Sequence, residues 1–187
     1  GHQAYQLFDD EGIDPSYVFS DPKNPSGVAL ILVDDNAENS IAVASGSNSN
    51  LVTADIDNSL DAIENSEIVL MQLEIPIKTI EYAAQIAKSR GKMVILNPAP
   101  APTEPLPLSI LKNIDLITPN ETEAELISGI PVVDETSAIA AAKRMAELGV
   151  KKIIITMGSK GAMLYEDGEA ELIPSIRVKA VDTTAAG

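Results

Sequence analysis

Apolar and polar residues follow two alternating periods from residue 53 onward. Apolar runs of strand length occur at residues 68–73, 93–96, 115–118 and 152–156. Between them, apolar residues recur every three or four positions, which predicts amphipathic helices at residues 53–63, 76–91, 120–128 and 136–148. Residues suited to helix starts and ends fall where expected: Thr53, Pro76 and Asn120, then Gly129 and Gly149. The pattern predicts an α/β fold, a mainly parallel sheet flanked by helices on both faces.

Two stretches outside this alternation predict antiparallel hairpins. Residues 26–33 and 39–45 flank the turn sequence Asp34-Asp35-Asn36, a connection too short for a parallel pair, so we expect a separate small sheet that acts as a lid or dimer contact. Residues 162–165 and 170–173 flank Asp167-Gly168 and predict an edge hairpin on the main sheet. The predicted organisation is an incomplete N-terminal helix and loop at 1–25, a β lid hairpin at 26–47, and a partial α/β core at 48–187.

Composition narrows the classes of function. The 28 acidic and 13 basic residues give a formal net charge of −15, which disfavours nucleic acid or an anionic membrane surface as a partner. With no Cys, the sequence excludes disulfides, thiol catalysis and Cys-based metal sites, and it fits a reducing cytoplasm. No apolar run approaches 18 residues, so we expect no membrane-spanning helix.

The sequence from Thr118 to Glu125 contains the main candidate chemistry. Pro119 keeps the preceding residue extended, and Asn120 is a favourable N-cap for the helix that follows. Three glutamates in the first turns have two explanations. They complement the helix dipole at an ordinary helix start, or they lie at the carboxyl end of a strand, where open α/β sheets bind ligands. In the second case Asn120 and a glutamate would orient a triphosphate and hydrated Mg²⁺.

Three further segments each allow a functional and a purely structural interpretation. Residues 157–161, Met-Gly-Ser-Lys-Gly, follow a buried strand and either let a nucleotide approach the backbone or form a simple tight turn; they are not a Walker A loop. Glu74 follows an apolar run and either binds sugar hydroxyls or is a surface acid leading into a helix. The small residues of 181–187 suit either an anion-binding helix N-terminus or a frayed terminus.

Taken together, five motifs in this order resemble the ribokinase-like family of carbohydrate kinases. They are Met71-Gln72-Leu73-Glu74, Asn97-Pro98-Ala99-Pro100, Thr118-Pro119-Asn120-Glu121-Thr122-Glu123, Thr156-Met157-Gly158-Ser159-Lys160-Gly161, and Val181-Asp182-Thr183-Thr184-Ala185-Ala186-Gly187. The resemblance covers nearly the whole chain, since residues 26–30 are similar to the start of the family's lid hairpin. It implies an ATP-dependent kinase that phosphorylates the 5-hydroxyl of ribose with Mg²⁺, activated by a monovalent cation, usually K⁺.

The resemblance also implies a role for individual residues. Glu74 would bind the sugar, with Ala29 and Ile31 on the apolar face of the lid. Asn120 would bind the triphosphate, and Glu123 would hold Mg²⁺ through water. The nucleotide-binding set would be completed by Thr156, Met157, Gly158, Ser159, Lys160, Gly161 and Gly187. Ala185, Ala186 and Gly187 would form the anion hole, and Asp182 with Thr184 would contribute to the K⁺ site. Lid strands in this family commonly pair between subunits, which implies a homodimer.

The sequence departs from the family pattern in ways that limit these expectations. The family's catalytic base is an Asp directly after the terminal glycine, whereas this sequence stops at Gly187. The N-terminal sugar-binding strand and glycine-rich loop and the C-terminal helices are also missing. We therefore expect a fragment of a kinase that is inactive alone. Other sugar or nucleoside kinases of the family, such as fructokinases, remain alternatives, as does a non-catalytic nucleotide-binding or sugar-binding remnant.

Overall fold

The computed structural model describes residues 2–33 and 39–176. The strands are β1 (Val28–Val33), β2 (Asn39–Ala44), β3 (Ile68–Met71), β4 (Met93–Leu96), β5 (Leu116–Ile117), β6 (Lys152–Thr156), β7 (Ala162–Glu166) and β8 (Glu169–Ile173). The helices are α1 (His2–Asp10), α2 (Thr53–Asn58), α3 (Leu60–Asn65), α4 (Ile77–Ser89), α5 (Leu108–Leu111), α6 (Glu121–Ser128) and α7 (Glu135–Glu147). Short 3₁₀ turns lie at Gly46–Asn50 and Gly158–Lys160. None of the helices in these two ranges is long and apolar enough to cross a membrane.

The main sheet has six strands in the order β3-β4-β5-β6-β7-β8. The first four strands are parallel, and β7 and β8 continue the sheet as an antiparallel hairpin. The predicted mainly parallel sheet and its edge hairpin are thus confirmed. The sheet's core face packs its buried residues, such as Leu96, Ile117 and Ile153, with buried residues of the helices, such as Ile80 and Met145.

The predicted helices flank the sheet, but within the described residues those that connect the parallel strands cover only one of its faces. Burial alternates along β4 and β6, with Val94 and Leu96 buried and Ile95 only partly so. On β3, Ile68 is 50% and Leu70 is 68% exposed. The reason is topological. The spatial order of the parallel strands equals their order in the chain, and right-handed crossovers then put every connecting helix on the same side. The opposite face is an apolar surface that these residues leave uncovered.

The predicted lid hairpin is confirmed as a separate two-stranded sheet. Strands β1 and β2 pair antiparallel, with Ala29 opposite Val43 and Ile31 opposite Ile41. These four residues share one face, because side chains of directly paired residues lie on the same side of a sheet. The turn residues 34–38 lie outside the described residues.

Some boundaries differ from the sequence predictions. The helix predicted at 53–63 is two helices, α2 and α3, joined at Ser59, and Val52 rather than Thr53 occupies the N-cap. The strand predicted at 115–118 pairs over only two residues, and α5 was not predicted because its four residues carry no full helical period. Asn120 at the start of α6 and Gly129 at its end, in left-handed conformation, are confirmed.

Asp115 ties the amino-terminal ends of neighbouring strands together. Its side chain is 16% exposed, accepts hydrogen bonds from Lys88 and from the Val94 N–H at 3.0 Å, and forms an ion pair with Lys151 at 3.1 Å. Burial alone would raise the pKa of Asp115, but these hydrogen bonds outweigh it and hold the pKa below its ordinary value. A carboxyl whose folded pKa is depressed stabilises the fold above its unfolded pKa, about 4, and loses that contribution as pH falls through the folded value.

We expect Asp115→Asn to lower the free energy of unfolding of the full-length protein by about 1–3 kcal/mol at pH 7. Chemical denaturation at pH 7 measures this loss. Repeated at several pH values down to below 4, the denaturation should show that the free energy of unfolding depends less on pH in the variant than in the parent. Asp61→Asn, an exposed acid in the first turn of α3, is the control and should change stability by less than about 0.5 kcal/mol. Equal losses from both variants would contradict the role given to Asp115.

Candidate active site

The carboxyl ends of the parallel strands meet at one edge of the sheet and bring the predicted motifs together. Backbone hydrogen bonds continue the pairing beyond the strands: Asn97 N–H donates to Met71 O at 2.9 Å, Thr118 N–H to Leu96 O at 3.0 Å, and Thr156 N–H to Pro119 O at 2.9 Å. Asn120 and Thr156 form a further parallel bridge. The segment with Asn120 and the loop after β6 are therefore direct neighbours at the edge where α/β sheets bind ligands.

Asn120 and Glu123 form a reciprocal capping box at the start of α6. Glu123 N–H donates to Asn120 Oδ1 at 2.8 Å, and Asn120 N–H donates to Glu123 Oε2 at 2.9 Å. Glu123 is only 5% exposed, so its carboxylate is held in place. The motif therefore does form an ordinary helix start, as its purely structural interpretation predicts. The box does not use Asn120 Nδ2 or Glu123 Oε1, so one donor and one acceptor of the pair are left for other chemistry.

The loop after β6 is a tight turn built on two glycines. Met157 is buried, and its N–H donates to Gly161 O at 2.8 Å across the 3₁₀ turn. Gly158 has a φ of +53°, and among the residues that the structure describes no atom lies within 4 Å of the position where a Cβ would be. The backbone of Gly158 is consequently open to close approach, as a nucleotide-binding loop requires.

Gly161 closes the same loop against the end of β8. Its φ is +108°, and a Cβ at this position would lie 2.0 Å from the Ile173 carbonyl oxygen. Ser175 Oγ donates to Ser159 O at 2.6 Å, which fastens the loop to the chain that follows β8. The edge hairpin therefore sets the loop's position.

Lys160 connects this loop to α6. Its Nζ donates to Glu121 Oε1 at 3.0 Å and to the Val133 carbonyl oxygen at 2.8 Å. Lys160 thus lies among the predicted nucleotide-binding residues but contacts protein groups. Sequence reasoning did not anticipate these contacts, because the partners are 39 and 27 residues away.

The residues predicted to bind sugar lie on two separate elements. Glu74 is exposed on the bend that follows β3, and Leu73 N–H donates to Ala99 O at 2.8 Å, which holds this bend beside the 97–100 motif. Ala29 and Ile31 are exposed on the lid hairpin. Asp182, Thr184, Ala185, Ala186 and Gly187 lie outside the described residues, so the predicted anion hole and K⁺ site cannot be placed.

A cavity of about 600 Å³ lies next to the bend that contains Glu74. It is lined by residues 17–22, by parts of 47–59, and by Ile75. Tyr17 and Phe19 in its wall are two of the six Tyr and Phe residues of the chain. Sequence reasoning assigned residues 17–22 to a loop, although two aromatic residues in a chain with so few were a usable signal.

The side chains that would hold Mg²⁺ fit a hydrated ion. Within residues 2–33 and 39–176, no group of three or more His, Cys, Asp and Glu side chains could enclose a metal. Mg²⁺ usually keeps several waters and binds through one or two carboxylates plus substrate phosphates. One fixed carboxylate, Glu123, at the ligand-binding edge meets that requirement without a protein cage.

Comparison with known proteins defines the class. All 187 residues match the family described as pfkB family carbohydrate kinase. The chain belongs to this family, and the fold and the strand-edge site agree with that membership.

Within the family, the chain is similar to ribokinases. It is 44% identical over 187 residues to the ribokinase of Haemophilus influenzae, covering the whole chain and 60% of that protein. It is 39% identical to the deoxyribokinase of Salmonella typhi, over 94% of the chain and 57% of that protein. The ribokinase structure from Arabidopsis thaliana, complexed with ribose and ATP, superimposes with a TM-score of 0.78 at 32% identity, over 88% of this chain and 53% of that one. The chain thus spans 53–60% of the length of these relatives.

Proposed function

We propose that the protein to which this chain belongs is an ATP-dependent ribose kinase. Its reaction moves the γ-phosphoryl group of ATP to the 5-hydroxyl of D-ribose: the bond from the γ-phosphorus to the bridging oxygen of ADP breaks, and a bond to O5 forms. The observation that carries the proposal is the direct pairing of the Asn120 segment with the Thr156–Gly161 loop at the ligand-binding edge. The similarity to ribokinases supports ribose as the acceptor.

Each of the two paired segments would bind a different part of MgATP. Asn120 Nδ2 is the donor left for a phosphate oxygen, and the open backbone at Gly158 accommodates the nucleotide. Phosphoryl transfer depends mainly on positioning and on charge neutralisation. Mg²⁺, when bound, supplies positive charge beside the phosphates, and Glu123 would hold its water shell through Oε1. Asp182 and Thr184 are proposed for the K⁺ site by the family resemblance alone.

The sugar end of the proposed site combines Glu74 with the lid. A carboxylate accepts hydrogen bonds from sugar hydroxyls, and an apolar lid face with Ala29 and Ile31 excludes water from the transfer. Both faces of the hairpin are apolar, since Leu30 and Leu32 are exposed on the face opposite Ile31. If one apolar face of the hairpin covers the sugar, the opposite face can contact a second copy of the protein. We therefore propose a homodimer that pairs through the lid. We further propose a cytoplasmic location for this kinase.

The general base is proposed to be an Asp directly after Gly187, which would take the proton from the attacking 5-hydroxyl. We therefore expect the full-length protein to release ADP in a ribose-dependent manner, and the isolated 187-residue polypeptide to release none. A coupled ADP assay with saturating MgATP, with and without D-ribose, measures both. Ribose-dependent turnover by the 187-residue polypeptide would contradict the assignment of the base. A full-length protein that phosphorylates no pentose or hexose would contradict the kinase proposal.

A second candidate acceptor is 2-deoxy-D-ribose. The similarity to the deoxyribokinase of Salmonella typhi favours it, and the residues described here do not include the sugar loop expected from the resemblance. The ratio of kcat/KM for ribose to that for deoxyribose separates the two. A site that hydrogen-bonds the 2-hydroxyl should prefer ribose by more than about tenfold, because its polar groups would otherwise be left unpaired. A preference for fructose would point to a fructokinase instead.

A further inference from the structure

Lys160 lies where the two paired segments of the proposed nucleotide site meet the connection between α6 and α7. It belongs to the Gly158–Lys160 turn after β6, and its ammonium group reaches Glu121 in the first turn of α6 and the Val133 carbonyl between α6 and α7. Glu121 adjoins Asn120, the N-cap of the same helix. One side chain therefore links the loop to the helix whose capping box is proposed to serve phosphate and Mg²⁺.

The charges around Lys160 favour these contacts, although its side chain is 48% exposed. Glu121 and Asp134 both lie close enough to interact with its ammonium. The pKa of Asp134 is lowered chiefly by hydrogen bonds from Ser137, and the positive charge of Lys160 adds to the effect. The ammonium of Lys160 is already compensated by two carboxylates and a carbonyl oxygen, so moving it to a phosphate would take the cation away from Glu121 beside an anionic ligand.

We propose that Lys160 is a positioning residue that tethers the Thr156–Gly161 loop to the start of α6, rather than a ligand of the nucleotide phosphates. Its effect on nucleotide binding rests on the proposed kinase function, whereas the tether itself does not. The geometry makes Lys160 and Glu121 one unit, so removing either should loosen the loop in the same way.

The alternative, a direct phosphate ligand, makes an opposite prediction for Glu121. If Lys160 binds phosphate, Glu121 competes for its ammonium, and Glu121→Gln would release the lysine and tighten ATP binding. If Lys160 is a tether, Glu121→Gln weakens ATP binding, as Lys160→Met does. In that case the double variant is no worse than the worse single variant, because the two residues share one interaction.

The test uses the full-length protein with Lys160→Met, Glu121→Gln and their combination. Lys143→Met, which removes an exposed lysine from α7, is the matched control. Hydrogen exchange without nucleotide measures the amides of residues 158–161 and of 133. We expect exchange to rise about two- to fivefold in both single variants and not in the control. Unchanged exchange in both would overturn the tether, whether or not the protein phosphorylates ribose.

Nucleotide affinity supplies the second readout. We expect the dissociation constant for ADP and the KM for ATP to rise about two- to fivefold in both single variants, with the KM for ribose unchanged. Tighter nucleotide binding in Glu121→Gln would overturn the proposal in favour of a phosphate ligand. Faster exchange with unchanged ADP affinity would overturn the positioning role. A parent protein that binds no ADP would instead contradict the proposed function, and the exchange result would still decide the tether.

Discussion

Glu123→Gln in the full-length protein is expected to lower kcat for ribose phosphorylation by about 100-fold, with little change in stability. Gln at the third position of a helix still accepts the Asn120 N–H, so the capping box survives the substitution. The variant removes only the negative charge proposed to hold the water shell of Mg²⁺. Losing one pre-organised electrostatic contact in a phosphoryl-transfer site typically reduces the rate by a factor of this size. Steady-state kinetics over a range of Mg²⁺ concentrations measures the effect.

The matched control for this substitution is Glu135→Gln. Glu135 is an exposed acid in the first turn of α7. The substitution therefore removes one negative charge from a helix start, as Glu123→Gln does, but outside the proposed site. We expect Glu135→Gln to keep kcat within about twofold of the parent. In Glu123→Gln, added Mg²⁺ should recover part of the lost rate. Full activity of Glu123→Gln at limiting Mg²⁺ would contradict the assigned role and leave Glu123 as a helix cap alone.

Features that depend on nearby residues could be predicted from the sequence. The N-cap Asn120, its partner Glu123 and the left-handed Gly129 all lie within ten residues, and their chemistry decides where α6 begins and ends. Strand β6 was predicted with its observed bounds, because four apolar or β-branched residues stand between a glycine-led turn and a glycine loop. The hairpin of β7 and β8 follows likewise from Asp167-Gly168.

Features set by distant parts of the chain could not be predicted in this way. The two-residue length of β5 depends on where its neighbours β4 and β6 pair with it. The continuous apolar run of β3 is typical of a strand covered on both faces, yet Leu70 is exposed here. Sequence alone does not reveal which part of a protein supplies the cover. The same limit applies to the partners of Lys160, which come from two other segments.

The candidate site likewise has a part that could be predicted from the sequence and a part that could not. The resemblance placed Asn120, Glu123 and residues 156–161 in one site, and the structure brings these residues to adjacent segments of the sheet edge. The roles of these residues in binding nucleotide and Mg²⁺ stay predictions. The same holds for the sugar-binding role of Glu74 and of the lid residues Ala29 and Ile31. The cavity beside Ile75 was missed, because its wall combines residues 17–22 with residues 47–59, which only the fold brings together.

Gly161→Ala is expected to lower the free energy of unfolding of the full-length protein by about 2–4 kcal/mol. With φ at +108° the backbone is strained for any residue with a Cβ, and the added atom would lie 2.0 Å from Ile173 O and 2.9 Å from Ser175 N. Both obstacles are backbone atoms, so the loop or β8 must move. Because Ala162 pairs with Ile173, the shift would open the β7–β8 hairpin at this end.

Gly158→Ala separates the two causes of this loss. Gly158 also has a positive φ, +53°, but its Cβ would meet no atom of the described part of the chain within 4 Å, so only the backbone conformation is penalised, by roughly 1–2 kcal/mol. Chemical denaturation of both variants and the parent measures the difference. Equal losses of the free energy of unfolding in the two variants would mean that the loop can move away from Ile173 at no energetic cost. That result would contradict the attachment of the loop to the hairpin. A larger loss for Gly161→Ala, accompanied by a higher KM for ATP, would show that the edge hairpin holds the loop in the shape that binds nucleotide.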